Sequence, residues 1–303
     1  MADIRSIEET NRALKRKSRR SKVGKIVALA FVYFVLLLMY APLIYVTVFS
    51  FTKSSSTGVW SGFSMDLYKV LFNYSRNKNS QEIWNAALNT VLVAVVAGLI
   101  SVVLGTLGAI GIYYSRKKWW RNSLEFVNQI PIVNAEIVTA VSLCILFVFI
   151  SKTLGLDRSF VTLVIGHVVL SVPYVVLSVL PKLEQMDPSL YEAAMDLGAT
   201  QTQALWKVII PDIIPGILSG FLLAFTLSLD DYVITAFTKP TTGGFDTIST
   251  YIDAATKKSG LPPQFRAFTA ILFAVILIVV VVMNVKSNQN ARKVMKKEKG
   301  KNA

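Results

Sequence analysis

Four ionisable side chains lie inside long apolar runs of this 303-residue chain: Glu136, His167, Asp230 and Asp231. An ionisable group in hydrocarbon costs ~2.5–3.5 kcal/mol on insertion scales, which makes each a functional candidate by default. No Lys or Arg occupies the central part of any of these runs. A buried carboxylate without a protein cation needs a counter-charge, and a passing cation could supply it. Tyr232, beside the aspartates, offers either an aromatic face for such a cation or an anchor at a membrane interface. Adjacent helical residues point about 100° apart, so Asp230 and Asp231 do not both face one spot squarely. One of them instead caps a broken helix or bonds a neighbouring subunit. His167 reads first as a hydrogen-bonded core residue. The chain has one histidine and one cysteine, Cys144, so neither an internal disulfide nor a zinc site is expected.

The second cluster with chemical meaning is polar. Glu192-Ala193-Ala194-Met195-Asp196-Leu197-Gly198, closing at Val208-Ile209-Ile210-Pro211, fills an interlude of about thirty residues between two apolar runs, where a short turn would suffice. Asp187-Pro188 offers an N-cap with proline at the first helical position. Gly198 supplies a stop, and Thr200 to Gln203 has the form of a capping box opening a second short helix, with Pro211 ending it. Two short helices about a glycine suggest a docking surface for a cytoplasmic partner. The phosphate-cradling pattern GxxxxGK[ST] is absent from the chain, so any ATP hydrolysis belongs to a separate subunit.

The elements that must position these residues are membrane helices. Hydrophobic residues make up 53% of the chain and mean hydropathy is +0.52. A hydrocarbon core of about 30 Å takes about 20 apolar residues in a helix. Six such blocks are expected: about 26–50, 86–113, 127–150, 160–181, 213–237 and 266–285. None alternates as a barrel strand would, and helices satisfy their own backbone in lipid. The first block is too long for a signal-peptide core and no cleavage site follows it, so it reads as an uncleaved span. On these boundaries Glu136 sits nine residues in from the inner end, or ~14 Å, and Asp230 and His167 about seven from the outer end, or ~10 Å. Ala97, Ser101, Gly105 and Ala109 recur every four residues and predict a close helix–helix contact.

The net charge of +14 is unevenly placed. Residues 1–25, the 114–126 loop, the 182–212 loop and the tail from 286 hold 22 of the 32 Lys and Arg. By the positive-inside rule, both termini and the 182–212 loop face the cytoplasm, and the basic tails suit anionic lipid headgroups. Without aromatic-interleaved basic folds, nucleic acid is not an expected partner. The domain reading is a basic N-terminal extension at 1–25, either disordered or a short interfacial helix, then a membrane domain at 26–285 and a basic tail at 286–303. Trp60, Phe63 and Tyr68 in the first outward loop read as interface anchors.

The spacing from Glu192 to Pro211 resembles the EAA loop of ABC-importer permeases, with Val208 and Ile210 in its aliphatic places. Phe225-Thr226-Leu227-Ser228-Leu229-Asp230-Asp231-Tyr232 resembles a segment of the spermidine/putrescine permease (PotC) family, and together these similarities cover most of 26–285. The resemblance implies an all-α integral membrane protein with six transmembrane helices, a type I ABC importer permease fold and a cytoplasmic EAA coupling helix. It implies a transport subunit of a bacterial plasma (inner) membrane importer, not an enzyme. Glu192, Ala193, Ala194, Asp196, Gly198 and Pro211 would couple to the ATPase, and Asp230, Asp231, Glu136 and Tyr232 would line the substrate path. Implied partners are a second, homologous permease (PotB-like), an ATPase dimer (PotA-like) holding ATP and Mg, and an extracytoplasmic polyamine-binding protein (PotD-like). No cofactor is expected in this chain itself. The alternatives are a permease for another solute, such as ferric iron, thiamine or a phosphorylated compound, and a cation channel. An anionic solute would favour Arg or Lys in the path, and a channel leaves the EAA loop unexplained. A membrane-embedded enzyme would need a better constellation than one histidine with scattered carboxylates.

Overall fold

The computed structural model describes residues 2–54, 56, 58–73, 77–240, 244–258, 260–278, 281–282 and 285, apart from the side chains of residues 2–23 and 188. Regular structure among these is helical, with one isolated bridge between Thr52 and Phe63. The helices are α1 (Ala2–Phe49), α2 (Asp66–Phe72), α3 (Lys78–Tyr113), α4 (Lys118–Val133), α5 (Glu136–Leu154) and α6 (Phe160–Gln185). They continue as α7 (Pro188–Asp196), α8 (Gln201–Ala204), α9 (Ile210–Asp230), α10 (Val233–Thr238), α11 (Ile248–Lys258) and α12 (Gln264–Ile278). Among the described residues, five stretches are long and apolar enough to cross a membrane: Gly24–Phe49, Lys78–Tyr113, Glu136–Leu154, Phe160–Gln185 and Gln201–Asp230. The sixth expected run, 266–285, is helical as α12, and part of it lies outside the described residues, as does the basic tail from 286.

The chain divides into two compact units, residues 1–80 with 262–303, and residues 81–261. In the first, α1 is continuous from Ala2, so the basic extension joins the span as one helix. That differs from an extension set apart as disorder or a separate short helix; no proline or glycine interrupts the chain before Gly24. At the other end of α1, the Ser50 and Tyr68 hydroxyls meet at 2.7 Å, and Phe51 stacks on Phe63 at 5.6 Å. Phe63 and Tyr68 therefore contact the end of α1, Phe63 remaining largely exposed.

The core of the second unit is built on α6. Val175, Val176 and Val179 pack with Ala109 and Ile112 of α3, with Ile209 just before α9, and with Ile213 and Ala224 of α9. The four-residue stripe is the reason α3 fits there: Ala97, Ser101 and Ala109 are fully buried. A Cβ at Gly105 would lie 2.6 Å from Val175 Cβ and 3.2 Å from the Val172 carbonyl oxygen. Gly105→Ala is therefore expected to push the two helices apart and to destabilise the protein by about 1–3 kcal/mol. Gly108→Ala, whose Cβ would make ordinary contact at 3.6 Å with Val176, should be nearly neutral. Thermal unfolding of both variants in lipid nanodiscs checks the contrast; equal melting points would refute it.

Two of the expected spans are broken. The run at 127–150 is two helices, α4 and α5, separated by Asn134 and Ala135 in extended conformation. Pro131 lacks an N–H near the end of α4, and Asn134 Nδ2 bonds Thr139 Oγ1 at 3.2 Å across the break. Glu136 is thus in the first turn of α5, not nine residues inside a helix. The run at 213–237 stops at Asp230 and resumes at Val233. Its start is also earlier than expected. Pro211 does not end the short helix from Gln201, because a π-helical turn, Leu205–Ile209, leads straight into α9. The wider turn accommodates the missing proline N–H and relieves its clash with the preceding turn.

Candidate functional site

The two breaks lie together. A cavity of about 460 Å³ is lined by Asn134, Glu136, Tyr174, Asp230, Asp231 and Tyr232 among others, none of them Lys or Arg. All four residues singled out for a substrate path therefore meet around one space. They are presented by the start of α5, by the end of α9 and by the break that follows it, and Tyr174 of α6 completes the lining. Glu136 faces both aspartates. Lys257, within electrostatic reach of Tyr232, bonds Asp253 Oδ2 at 2.8 Å, while Arg158 Nη1 donates to the Phe237 carbonyl oxygen at 3.0 Å and Lys239 Nζ bonds Asp246 Oδ1 at 2.6 Å.

The two aspartates differ sharply. Asp230 is exposed, whereas the Asp231 side chain is wholly enclosed. Asp231 Oδ1 accepts from the Ile234 N–H at 3.1 Å, and Oδ2 from the Thr235 N–H at 2.8 Å and the Thr235 hydroxyl at 2.7 Å. The two N–H groups are orphan donors of the first turn of α10, so Asp231, one position before the N-cap residue Tyr232, caps that helix with its side chain. Ser249 Oγ donates to the Asp231 carbonyl oxygen at 2.7 Å, and this ties α11 to the break. Of the two readings left open for the pair, a capping role fits Asp231, and Asp230 remains the carboxylate with free access to the cavity. His167 is fully buried, as a core histidine should be, with Nδ1 2.9 Å from Ser228 Oγ and Nε2 3.0 Å from Thr235 Oγ1. Asn134 and Tyr174 were not singled out from the sequence; a polar residue three positions after Pro131 is a weak sign of a helix break. Outside the spans, Lys257 beside Asp253 holds that carboxyl below the usual range, with a smaller contribution from the Tyr232 hydroxyl.

The polar loop follows its capping signals. Asp187 Oδ1 accepts from the Ser189 N–H at 3.0 Å, which holds its carboxyl below the ordinary range. Gly198 takes φ +84°, its N–H bonding the Met195 carbonyl at 2.9 Å. Thr200 and Gln203 form the reciprocal capping box. Tyr191 packs against the core, while Glu192, Ala193, Asp196 and Gly198 stay exposed and Ala194 is half-buried. Leu197, 89% exposed, is an apolar side chain on this surface that the spacing alone did not single out.

Residues 101–293 match the family model of the binding-protein-dependent transport system inner membrane component. The chain belongs to this family. It is 31% identical over 261 residues to the spermidine/putrescine transport system permease protein PotC of Haemophilus influenzae, covering 86% of this chain and 96% of the relative. It is 29% identical over 243 residues to the putrescine transport system permease protein PotI of Escherichia coli, covering 80% and 83%. A chain of the bacterial alginate ABC transporter, solved in complex with an alginate pentasaccharide-bound periplasmic protein, superposes with a TM-score of 0.65 at 19% identity, covering 88% of this chain and 93% of that one. The permease thus has the type I ABC importer fold and is a multi-pass transport subunit of an inner membrane.

Proposed function

We propose that this permease carries polyamines inward, with Asp230 and Glu136 as ligands for the cargo's ammonium groups. The single observation that supports this most is the cavity in which those two exposed carboxylates stand without a protein cation. A polycation supplies the missing charge, and Tyr174 and Tyr232 add aromatic faces beside it. The names of the permeases it resembles point the same way. Asp231, in this reading, holds the break that presents Asp230.

The 182–212 loop is the proposed seat for an ATPase subunit that binds ATP and Mg. Both termini and this loop then face the cytoplasm, as the charge asymmetry favours. The helix from Gln201 to Asp230 has 30 residues, about 45 Å at 1.5 Å per residue. One continuous lever therefore joins the docking loop to the cargo carboxylate. A homologous second permease and an extracytoplasmic binding protein complete the proposed importer. Proteoliposomes containing the whole complex should take up labelled spermidine or putrescine only with ATP inside the cell-equivalent face and the ATPase present. Polyamine flux through the complex without ATP would sink the importer reading in favour of a channel.

A further inference from the structure

His167 has no assigned role, yet it is the midpoint of an enclosed chain of hydrogen bonds whose proton positions can be worked out. The Thr235 hydroxyl donates its one hydrogen to Asp231 Oδ2 at 2.7 Å, so toward His167 Nε2, 3.0 Å away, the same oxygen only accepts. Nε2 must then carry the imidazole proton. In the neutral imidazole Nδ1 is then bare, and Ser228 Oγ, 2.9 Å away, donates to it. The direction runs from Ser228 through His167 and Thr235 to Asp231. Ser228 belongs to the last turn of α9, Thr235 to α10, and His167 to α6. The imidazole therefore spans both sides of the break from a third helix. It is fully buried and does not line the cavity.

We propose that His167, as the Nε2–H tautomer, is a positioning residue for cargo binding, acting through Thr235 and Asp231 to hold the α9–α10 break that presents Asp230. This rests on the reading of Asp230 as a cargo ligand. Losing the imidazole removes the acceptor of the Ser228 hydroxyl and the donor to Thr235 Oγ1, and with them the link across the break, so Asp230 occupies its binding orientation for a smaller fraction of the time. Apparent affinity falls by that fraction, while cargo that does bind meets the same site.

Two measurements on the assembled importer and the full chain test it. In proteoliposomes, His167→Phe should raise KM for spermidine about tenfold, the scale of one lost hydrogen bond to a charged group's support, with Vmax changed far less. His167→Gln places an amide N–H near the Nε2 position and should recover most of the loss. In a Thr235→Val background the same Gln rescue should disappear, because the link it uses is gone. Equal KM for wild type and both His167 variants overturns the proposal, and so does a pure loss of Vmax. Should His167→Phe fail to assemble, the histidine itself still reports: the single imidazole, ¹⁵N-labelled in the full chain in nanodiscs, must show the Nε2–H tautomer, and an Nδ1–H signal overturns the chain of donors. Asp230→Asn separates the two claims. If it leaves KM unchanged, the cargo-ligand reading fails; if it raises KM and the His167 series does not, only the positioning claim fails.

Discussion

Asp230→Asn combined with Glu136→Gln should reduce uptake of spermidine by roughly a thousandfold in kcat/KM, with the protein still inserted and assembled. Each carboxylate is proposed to form one charge-assisted hydrogen bond with an ammonium group, a contact of ~1.5–3 kcal/mol. With tenfold in affinity for every 1.4 kcal/mol, each single variant loses about ten- to a hundredfold. The amides keep the volume and a hydrogen-bond acceptor, so little but the charge is removed. Both side chains are exposed to the cavity and neither holds up a helix, so melting temperature should barely move. Asp231→Asn should behave in the opposite way. Its carboxylate accepts three hydrogen bonds in full enclosure, and an amide nitrogen in place of Oδ2 would face the Thr235 N–H donor. Reduced stability and membrane level are expected, by ~1–3 kcal/mol for the unsatisfied donors. Transport and thermal unfolding measured on all three variants check this. Uptake near wild type in the Asp230/Glu136 double variant would remove the carboxylates from the path.

Gly198→Val should abolish coupled transport while leaving cargo binding intact. At φ +84° glycine is unstrained, whereas a β-branched residue is a genuine outlier there. The turn between α7 and the helix from Gln201 would open, and the exposed face bearing Glu192, Ala193 and Leu197 would lose its angle to the 30-residue lever. No atom lies within 4 Å of the added Cβ, so the effect comes from backbone strain and not from a clash in the core. Gly198→Asn, which tolerates the left-handed region better, should retain a measurable fraction of activity. The assay is cargo-stimulated ATP hydrolysis by the reconstituted complex beside cargo binding. Full stimulation in the valine variant would exclude the loop as the coupling surface.

The two predictions draw on differently legible parts of the chain. The loop was readable almost residue by residue: Asp187-Pro188, Gly198 and Thr200–Gln203 act through hydrogen bonds to backbone two to four residues away. Only Pro211 misled, because a π-helical turn carries the helix past it. The carboxylates were found as exceptions within apolar runs, and they do converge. Their division of labour was not legible. Hydropathy runs unbroken through residues 127–150 and 213–237, and it records the affinity of side chains for lipid, not where the backbone ladder stops.

Residue order alone establishes that this chain spans a membrane, where its helices approach closely, how its polar loop is capped, and which acidic residues lack a cation. Those properties follow from composition and from contacts within a few residues. Long-range packing sets the rest: α9 ends at Asp230, Asp231 is a cap while Asp230 is open to the cavity, and His167 joins the two sides of the break. A broken helix leaves backbone donors that must be satisfied in a medium without water. Here His167, 61 residues before Ser228, and Ser249, 18 after Asp231, are brought up to the break only when the helices pack.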